Sequence, residues 1–381
     1  MTALQPDQIN SIRNQLLSAN APINAQSIVQ VIRDTVPTIS PAALISNTDQ
    51  VIAETIGYGP IEKLINKSGV TDVLVNNFSD VWFDQGNGLE KSEVKWESET
   101  KLRDFAARLA ASVNRRLDDV SPFVDARLKN GIRFHAVIPP ISIKGTAMSF
   151  RIPNQKQFSL DDLVKSNTFD SAVAQILRQI IRTKTSFAIS GNTGSGKTTI
   201  LGALLSEVNT AERILVIEDS TELNISHPHV VSLQTRGANA EGIGQIELAQ
   251  LIKQALRMRP DRIVIGEIRG TEVLDLLIAL NTGHEGGCVT LHANNTQAVI
   301  SRIEALGLLA KIPKAAIHAL LKESIQVLLH VQRTNAGRKL TEISLLTETP
   351  SGSLKVLPAL DLLSYKKIEP GWQQLQEVLG L

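Results

Sequence analysis

The sequence predicts an α/β protein in two parts, a carboxy-terminal domain on a mostly parallel sheet and a smaller α+β domain before it. Three observations carry that expectation. From about Thr168 onward, apolar runs of strand length alternate with helical stretches, the pattern of a sheet covered on both faces. One of those runs leads into a glycine-rich turn that opens a helix. Before residue 152, strand-like runs instead come in pairs, separated by polar turns or by one helical stretch.

In chain order, residues 1–55 read as a helical appendage. Ile9, Ile12, Leu16 and Leu17 recur at helical spacing, Ile28, Val29, Val31 and Ile32 more loosely, and Pro22, Pro37 and Pro41 cut the segment into short pieces. Residues 56–152 make the α+β domain. Its expected strands are Val70–Val75, Val81–Phe83, Arg133–Ile138 and Ala147–Phe150, with a helix over Leu102–Leu117. Residues 153–166, polar and without a clear strand, are the expected linker. The last domain, residues 167–381, carries strands at Phe187–Ser190, Ile214–Ile217, Ile263–Ile265 and Cys288–Leu291. Its helices are expected over Lys197–Val208, Gln245–Met258, Glu272–Leu280 and Gln297–Leu306, and the last 30 residues are weakly patterned.

The turn after the first of those strands carries chemistry. Gly191 to Thr198 fits G-x-x-x-x-G-K-T/S, with a strand before it and a helix after it. Glycines let successive backbone N–H groups curl around phosphates without Cβ interference. The lysine adds a point charge, the threonine a hydroxyl for Mg²⁺, and the helix N-terminus its dipole. The expected ATP-binding segment is therefore Gly191, Asn192, Thr193, Gly194, Ser195, Gly196, Lys197, Thr198 and Thr199. An acid at the end of another strand should complete the Mg²⁺ site. Glu218-Asp219 and Glu267 both stand at such ends, and strand position alone does not choose between them.

Composition sets limits. With 39 basic and 38 acidic residues the net charge is +1, which argues against an obligate nucleic-acid partner. The single cysteine, Cys288, excludes an intrachain disulfide and a cysteine-rich zinc site, and reads as one buried thiol of a reduced, cytoplasmic protein. The spacing His284, Cys288, His292 would align three ligands on a helix, but Gly286-Gly287 breaks any helix there. His284 and His292 fit a γ-phosphate sensor or a subunit contact better; His227 and His229 read as structural, and His135, His318 and His330 as incidental. The amino terminus has no signal-peptide pattern, and no apolar run reaches the ~18 residues of a membrane span, so direct membrane insertion is not expected.

Taken together, these motifs resemble the type II/IV secretion ATPase superfamily. Ile217 to Glu222 looks like its Asp box, Leu256 to Gly270 its Walker B segment, and Thr282 to Asn294 its His box, all in the family's order after the P-loop. Upstream, Gly57 to Leu64, Val124 to Leu128, Gly131 to Arg133 and Ala136 to Pro140 look like the amino-terminal domain of the CpaF branch, the tight-adherence pilus ATPases. The resemblance implies a RecA-like ATPase domain, assembly as a homo-hexamer, and ATP held between each protomer's two domains. It also implies an inner-membrane platform partner and a place at the cytoplasmic face of that membrane. By motif, Lys197 and Thr198 would hold phosphate and Mg²⁺, Glu218 would orient or deprotonate the attacking water, and Glu267 would serve the metal. His292 would sense the γ-phosphate, and Arg133 and Arg151 would reach the phosphates from the amino-terminal domain. Two departures stand out. One cysteine cannot form the four-cysteine zinc insert common in the type II secretion and type IV pilus extension ATPases, and Gly266-Glu267 replaces the Asp-Glu of many P-loop motors. A nucleic-acid motor is the rival on the same fold; the balanced charge, 4% aromatic content and lack of a basic segment weigh against it.

Overall fold

A computed structural model describes residues 25–37, 57–86, 88–128, 131–153, 157–238, 243–281, 285–350 and 352–381, together with scattered positions between 11 and 51. The chain divides into two compact units, Met1–Asn154 and Gln155–Leu381. In the first, helix α1 (Ala25–Thr35) buries Ile28 and Ile32 against Ile12 and Val51. Most of the appendage expected over residues 1–55 lies outside the described residues.

The rest of this unit is an antiparallel sheet of β1 (Asp72–Asn77), β2 (Asp80–Asp84), β3 (Leu89–Ser92), β4 (Phe123–Arg127), β5 (Arg133–Val137) and β6 (Ala147–Arg151). The strands lie in the order β3-β2-β1-β6-β5-β4. Period-two alternation puts Val73, Phe134 and Phe150 into the core, the last two with ring centroids 5.2 Å apart. Short helix α2 (Glu62–Ile65) and helix α3 (Glu99–Ala111) supply the rest of that core, α3 through Leu102, Phe105, Ala106 and Leu109. Ser98 caps α3 by accepting a hydrogen bond from the Lys101 amide at 3.3 Å. Strands β3 and β4 were not legible as strands. They are the two sheet edges, and Leu-Glu-Lys-Ser in β3 has no apolar run at all.

The second unit opens inside the stretch expected as a linker. There, α4 (Leu160–Lys165) is held by a capping box between Ser159 and Asp162 and sends Leu160 and Leu163 into the core. Six residues are too few to show helical periodicity, so the helix was hidden in a polar segment. The unit's sheet contains β7 (Phe187–Gly191), β8 (Ile214–Glu218), β9 (Val230–Gln234), β10 (Arg262–Ile265), β11 (Cys288–Leu291) and β12 (Val327–Thr334). These six run parallel in the order β12-β7-β11-β10-β8-β9. Strands β13 (Gly337–Glu348), β14 (Leu354–Asp361) and β15 (Lys366–Lys367) extend it antiparallel beyond β12.

Every residue of β7, β8, β10 and β11 is buried, as an α/β sheet covered on both faces requires. One covering layer holds α4, α5 (Ser171–Arg182), α6 (Lys197–Leu205) and α11 (Gly371–Leu379). The other holds α7 (Leu248–Ala255), α8 (Val273–Leu280), α9 (Gln297–Leu309) and α10 (Lys314–Ser324). Because β7 lies between β12 and β11, its crossover to β8 skips two strands and leaves a crevice at the carboxyl ends of the strands, where ligands bind in such sheets. Among the described residues, no helix is long and apolar enough to cross a membrane.

Candidate active site

The glycine-rich turn lies at that crevice. Gly191 ends β7 at φ +153°, and a Cβ there would fall 2.2 Å from the Val331 carbonyl oxygen of neighbouring β12, so only glycine lets the strand leave the sheet here. Gly196, at φ +105°, turns the chain into α6, whose first residues are Lys197, Thr198 and Thr199. Asn192, Thr193 and Gly194 form the exposed crest and Ser195 is buried beneath it. The loop ends at a helix N-terminus with its amides unclaimed by the helix, the arrangement that binds phosphate.

The Lys197 side chain is buried and folds back on the loop, donating to the carbonyls of Gly191 at 2.9 Å and Asn192 at 3.1 Å. Burial pulls its pKa below the ordinary lysine value, and Glu267 and Glu222 offset part of that cost. Its ammonium also lies 3.4 Å from His292 Nδ1. His292 follows β11, and its Nε2 is 2.8 Å from Glu267 Oε1. Glu267 Oε2 in turn accepts from the Arg269 guanidinium at 2.7 Å. A continuous row therefore runs from the loop lysine through the histidine to the acid and its arginine. The two ring nitrogens thus divide between the Glu267 carboxylate and the Lys197 ammonium, and the imidazole is neutral at neutral pH. Burial and Lys197 keep the His292 pKa below the usual value, in agreement. Burial alone would raise the Glu267 pKa, but Arg269, His292 and Lys197 outweigh it and hold the carboxylate ionised.

Glu218 reaches the crevice from β8, which pairs with β10 through Ile217 and Ile265. It is buried, and its Oε1 accepts from the amides of Glu222 at 2.9 Å and Leu223 at 3.0 Å. Its side chain passes over Gly266. Beside it, burial with Glu272 and Glu267 nearby raises the Asp219 pKa against the pull of Arg269.

Three participants escaped the sequence reading. Arg269 sits inside the Walker B-like segment, but nothing in that pattern assigns it to Glu267. Arg338 arrives from the hairpin after β12, donating to the Gly194 carbonyl at 3.0 Å, with no motif to announce it. His330, expected to be incidental, is buried beside Gly191, with its Nδ1 2.8 Å from the Ser190 hydroxyl. Its position in the apolar run of β12 reads as core in a sequence; only pairing of β12 with β7 brings it to the loop. His284 lies outside the described residues. Cys288 is fully buried in β11 and its thiol is pushed up to about 12, the environment of an inert side chain rather than a metal ligand.

The structure brings Lys197, His292, Glu267 and Glu218 to one sheet edge. Arg133 and Arg151 belong to the other unit. There they face each other directly across β5 and β6, and Arg133 faces Arg127 of β4 in turn. Directly opposed residues share a face, so three arginines form one rung, ended by Asp72 of β1 opposite Arg151. Like charges so placed repel.

Residues 54–346 match the family described as type II/IV secretion system protein. A putative conjugal transfer protein of Mycobacterium tuberculosis is 46% identical over 312 residues, covering 80% of this chain and 89% of that one. The type IV secretion system protein VirB11 of Bartonella quintana is 27% identical over 325 residues, covering 74% and 90%. Among solved structures, the pilus retraction motor PilT with bound ADP aligns at a TM-score of 0.55 and 21% identity, covering 76% of this chain and 83% of that one, a likeness of fold.

Proposed function

Since the chain belongs to the type II/IV secretion system protein family, we propose that it is an ATPase whose hydrolysis drives protein secretion or pilus assembly. The observation that carries this reading is the row Lys197–His292–Glu267–Arg269 at the mouth of the glycine-rich loop. Phosphate binding alone needs the loop and its lysine. An ionised acid and a neutral histidine beside them are what a hydrolytic site adds.

In the proposed reaction, water attacks the γ-phosphorus, the bond to the β–γ bridging oxygen breaks, and ADP and phosphate leave. Lys197 exchanges its carbonyl partners for phosphate oxygens, which reverses the burial cost on its ammonium. Glu218, fixed by the Glu222 and Leu223 amides, orients the water or takes its proton. Once the ammonium has moved, His292 donates to a γ-phosphate oxygen from a protonated Nδ1. Mg²⁺ fits the donors present, an ionised Glu267 carboxylate and the Thr198 hydroxyl at the start of α6, and would offset charge on the phosphates. By motif, Arg133 and Arg151 are the proposed stabilisers of charge on the transferring phosphoryl group.

The proposed assembly is a homo-hexamer of chains with two domains each, residues 56–152 and 167–381. It works at the cytoplasmic face of the inner membrane against a platform protein. Motifs in the amino-terminal domain favour a tight-adherence type of system. Phosphate release by the parent chain and by Lys197→Ala tests the ATPase reading, and wild-type turnover in the variant would overturn it. Stimulation of that turnover by DNA would move the assignment to a nucleic-acid motor. Light scattering with a non-hydrolysable ATP analogue should show a hexamer-sized particle, and a fully active monomer would exclude the ring.

A further inference from the structure

The antiparallel strands beyond β12 look like an appendix to the parallel sheet, yet β12 and the start of β13 together touch the glycine-rich loop at both ends. At its base, His330 meets Ser190 and the Val331 carbonyl crowds Gly191. At its crest, the first residues of β13 fold over it. The turn joining β12 to β13 is fixed by the Thr334 hydroxyl, which donates to the Gly337 carbonyl at 3.0 Å and accepts from the Ala336 amide at 3.2 Å. Gly337, at φ +105°, then aims Arg338 at the loop. Arg338 Nε donates to the Gly194 carbonyl at 3.0 Å, and its Cδ lies 3.1 Å from where a Cβ on Gly196 would stand. The arginine stem thus covers the second glycine while its head holds the first.

We propose that Arg338 is a positioning residue of the nucleotide site, setting the Gly194–Ser195 peptide for the phosphates of ATP. The inference rests on the ATPase reading above. A trans peptide carries its C=O and N–H on opposite sides, so a donor that fixes the Gly194 oxygen also fixes the direction of the Ser195 N–H. In the present loop that N–H points back to the Asn192 carbonyl at 3.2 Å, a long bond that a phosphate oxygen readily replaces. A cationic donor on the carbonyl polarises the same peptide and makes its N–H the stronger donor. The guanidinium uses Nε for the loop, and its charge stands beside a site for a polyanion. Arg338 is exposed, so this role does not depend on its packing into the core.

The test measures ADP affinity by calorimetry with Mg²⁺, and steady-state kinetics with ATP, for the parent chain, Arg338→Ala and Arg338→Lys. Arg338→Ala should weaken ADP binding and raise KM about tenfold, the lower end for a charge-assisted bond, while kcat changes less than threefold. Arg338→Lys, which keeps charge and a donor, should recover most of that loss. Melting temperatures of the nucleotide-free proteins should agree within ~2 °C, since an exposed substitution leaves the core intact. ADP affinity in Arg338→Ala within twofold of the parent would overturn the inference, as would a loss that appears only in kcat. A parent chain that binds no nucleotide at all would instead overturn the ATPase reading.

Discussion

Glu218 occupies the space that a side chain on Gly266 would need. A Cβ at residue 266 would fall 2.6 Å from Glu218 Cγ and 3.2 Å from its Oε1. The Gly-Glu pair, where many P-loop motors have Asp-Glu, therefore goes with a carboxylate delivered from the adjacent strand. Gly266→Ala should push Glu218 off its amides and lower kcat by at least ~10², while ADP affinity stays within threefold. Steady-state turnover and calorimetry check this; a variant as active as the parent would show that Glu218 does not act from this position.

Glu218→Gln and Glu267→Gln should separate the two acids. Both keep side-chain volume and lose charge, so each should lower kcat by ~10² or more, as expected of acid–base groups. Only Glu267→Gln should also change the Mg²⁺ concentration for half-maximal rate, because Glu267 is the proposed metal neighbour. An unchanged Mg²⁺ dependence in that variant would count against the metal role.

The arginine rung makes a different demand. If Arg151 serves the phosphoryl group, Arg151→Ala should cut kcat by roughly 10³, as losing an arginine finger does. Its melting temperature should hold, because relief of repulsion from Arg133 opposite on β5 offsets the loss of Asp72 opposite on β1. A substitution that lowers stability and leaves turnover intact would make the rung structural.

His330 should leave a mark on stability. Burial holds its pKa below 6.5 in the folded protein, so between that lowered value and 6.5 the unfolded chain binds a proton that the native chain does not. Stability from this group is complete above pH 6.5 and is lost as the pH falls toward the native pKa. His292 contributes with the same sign. Melting temperatures from pH 7.5 to 5 should therefore fall less steeply in His330→Gln than in the parent, and parallel curves would refute the assignment.

Four of the six parallel strands, β7, β8, β10 and β11, were legible because fully buried strands leave continuous apolar runs, as in Ile214–Ile217 and Ile263–Ile265, whereas β9 and β12 were not read as strands. The phosphate loop was legible because its chemistry is local: Gly191, Lys197 and Thr198 act within eight residues of chain. What escaped is non-local. Arg338 meets Gly194 across 144 residues and His330 meets Ser190 across 140, through pairings that leave no spacing to read. Strand β14 shows another limit, since Lys355, Pro358 and Asp361 interrupt its apolar pattern, yet it pairs with β13 along most of its length.

Cys288 has a practical consequence. It is the sole cysteine, buried in the middle of the sheet, with a thiol pushed up to about 12. Thiol reagents act on the thiolate, which is scarce at such a site at neutral pH. The unaltered protein is thus a nearly silent background for labelling. One cysteine introduced on an exposed position of each unit could carry a donor and acceptor dye pair. Energy transfer between them would follow any change in the separation of the two units during turnover, with no native cysteine removed to make the measurement.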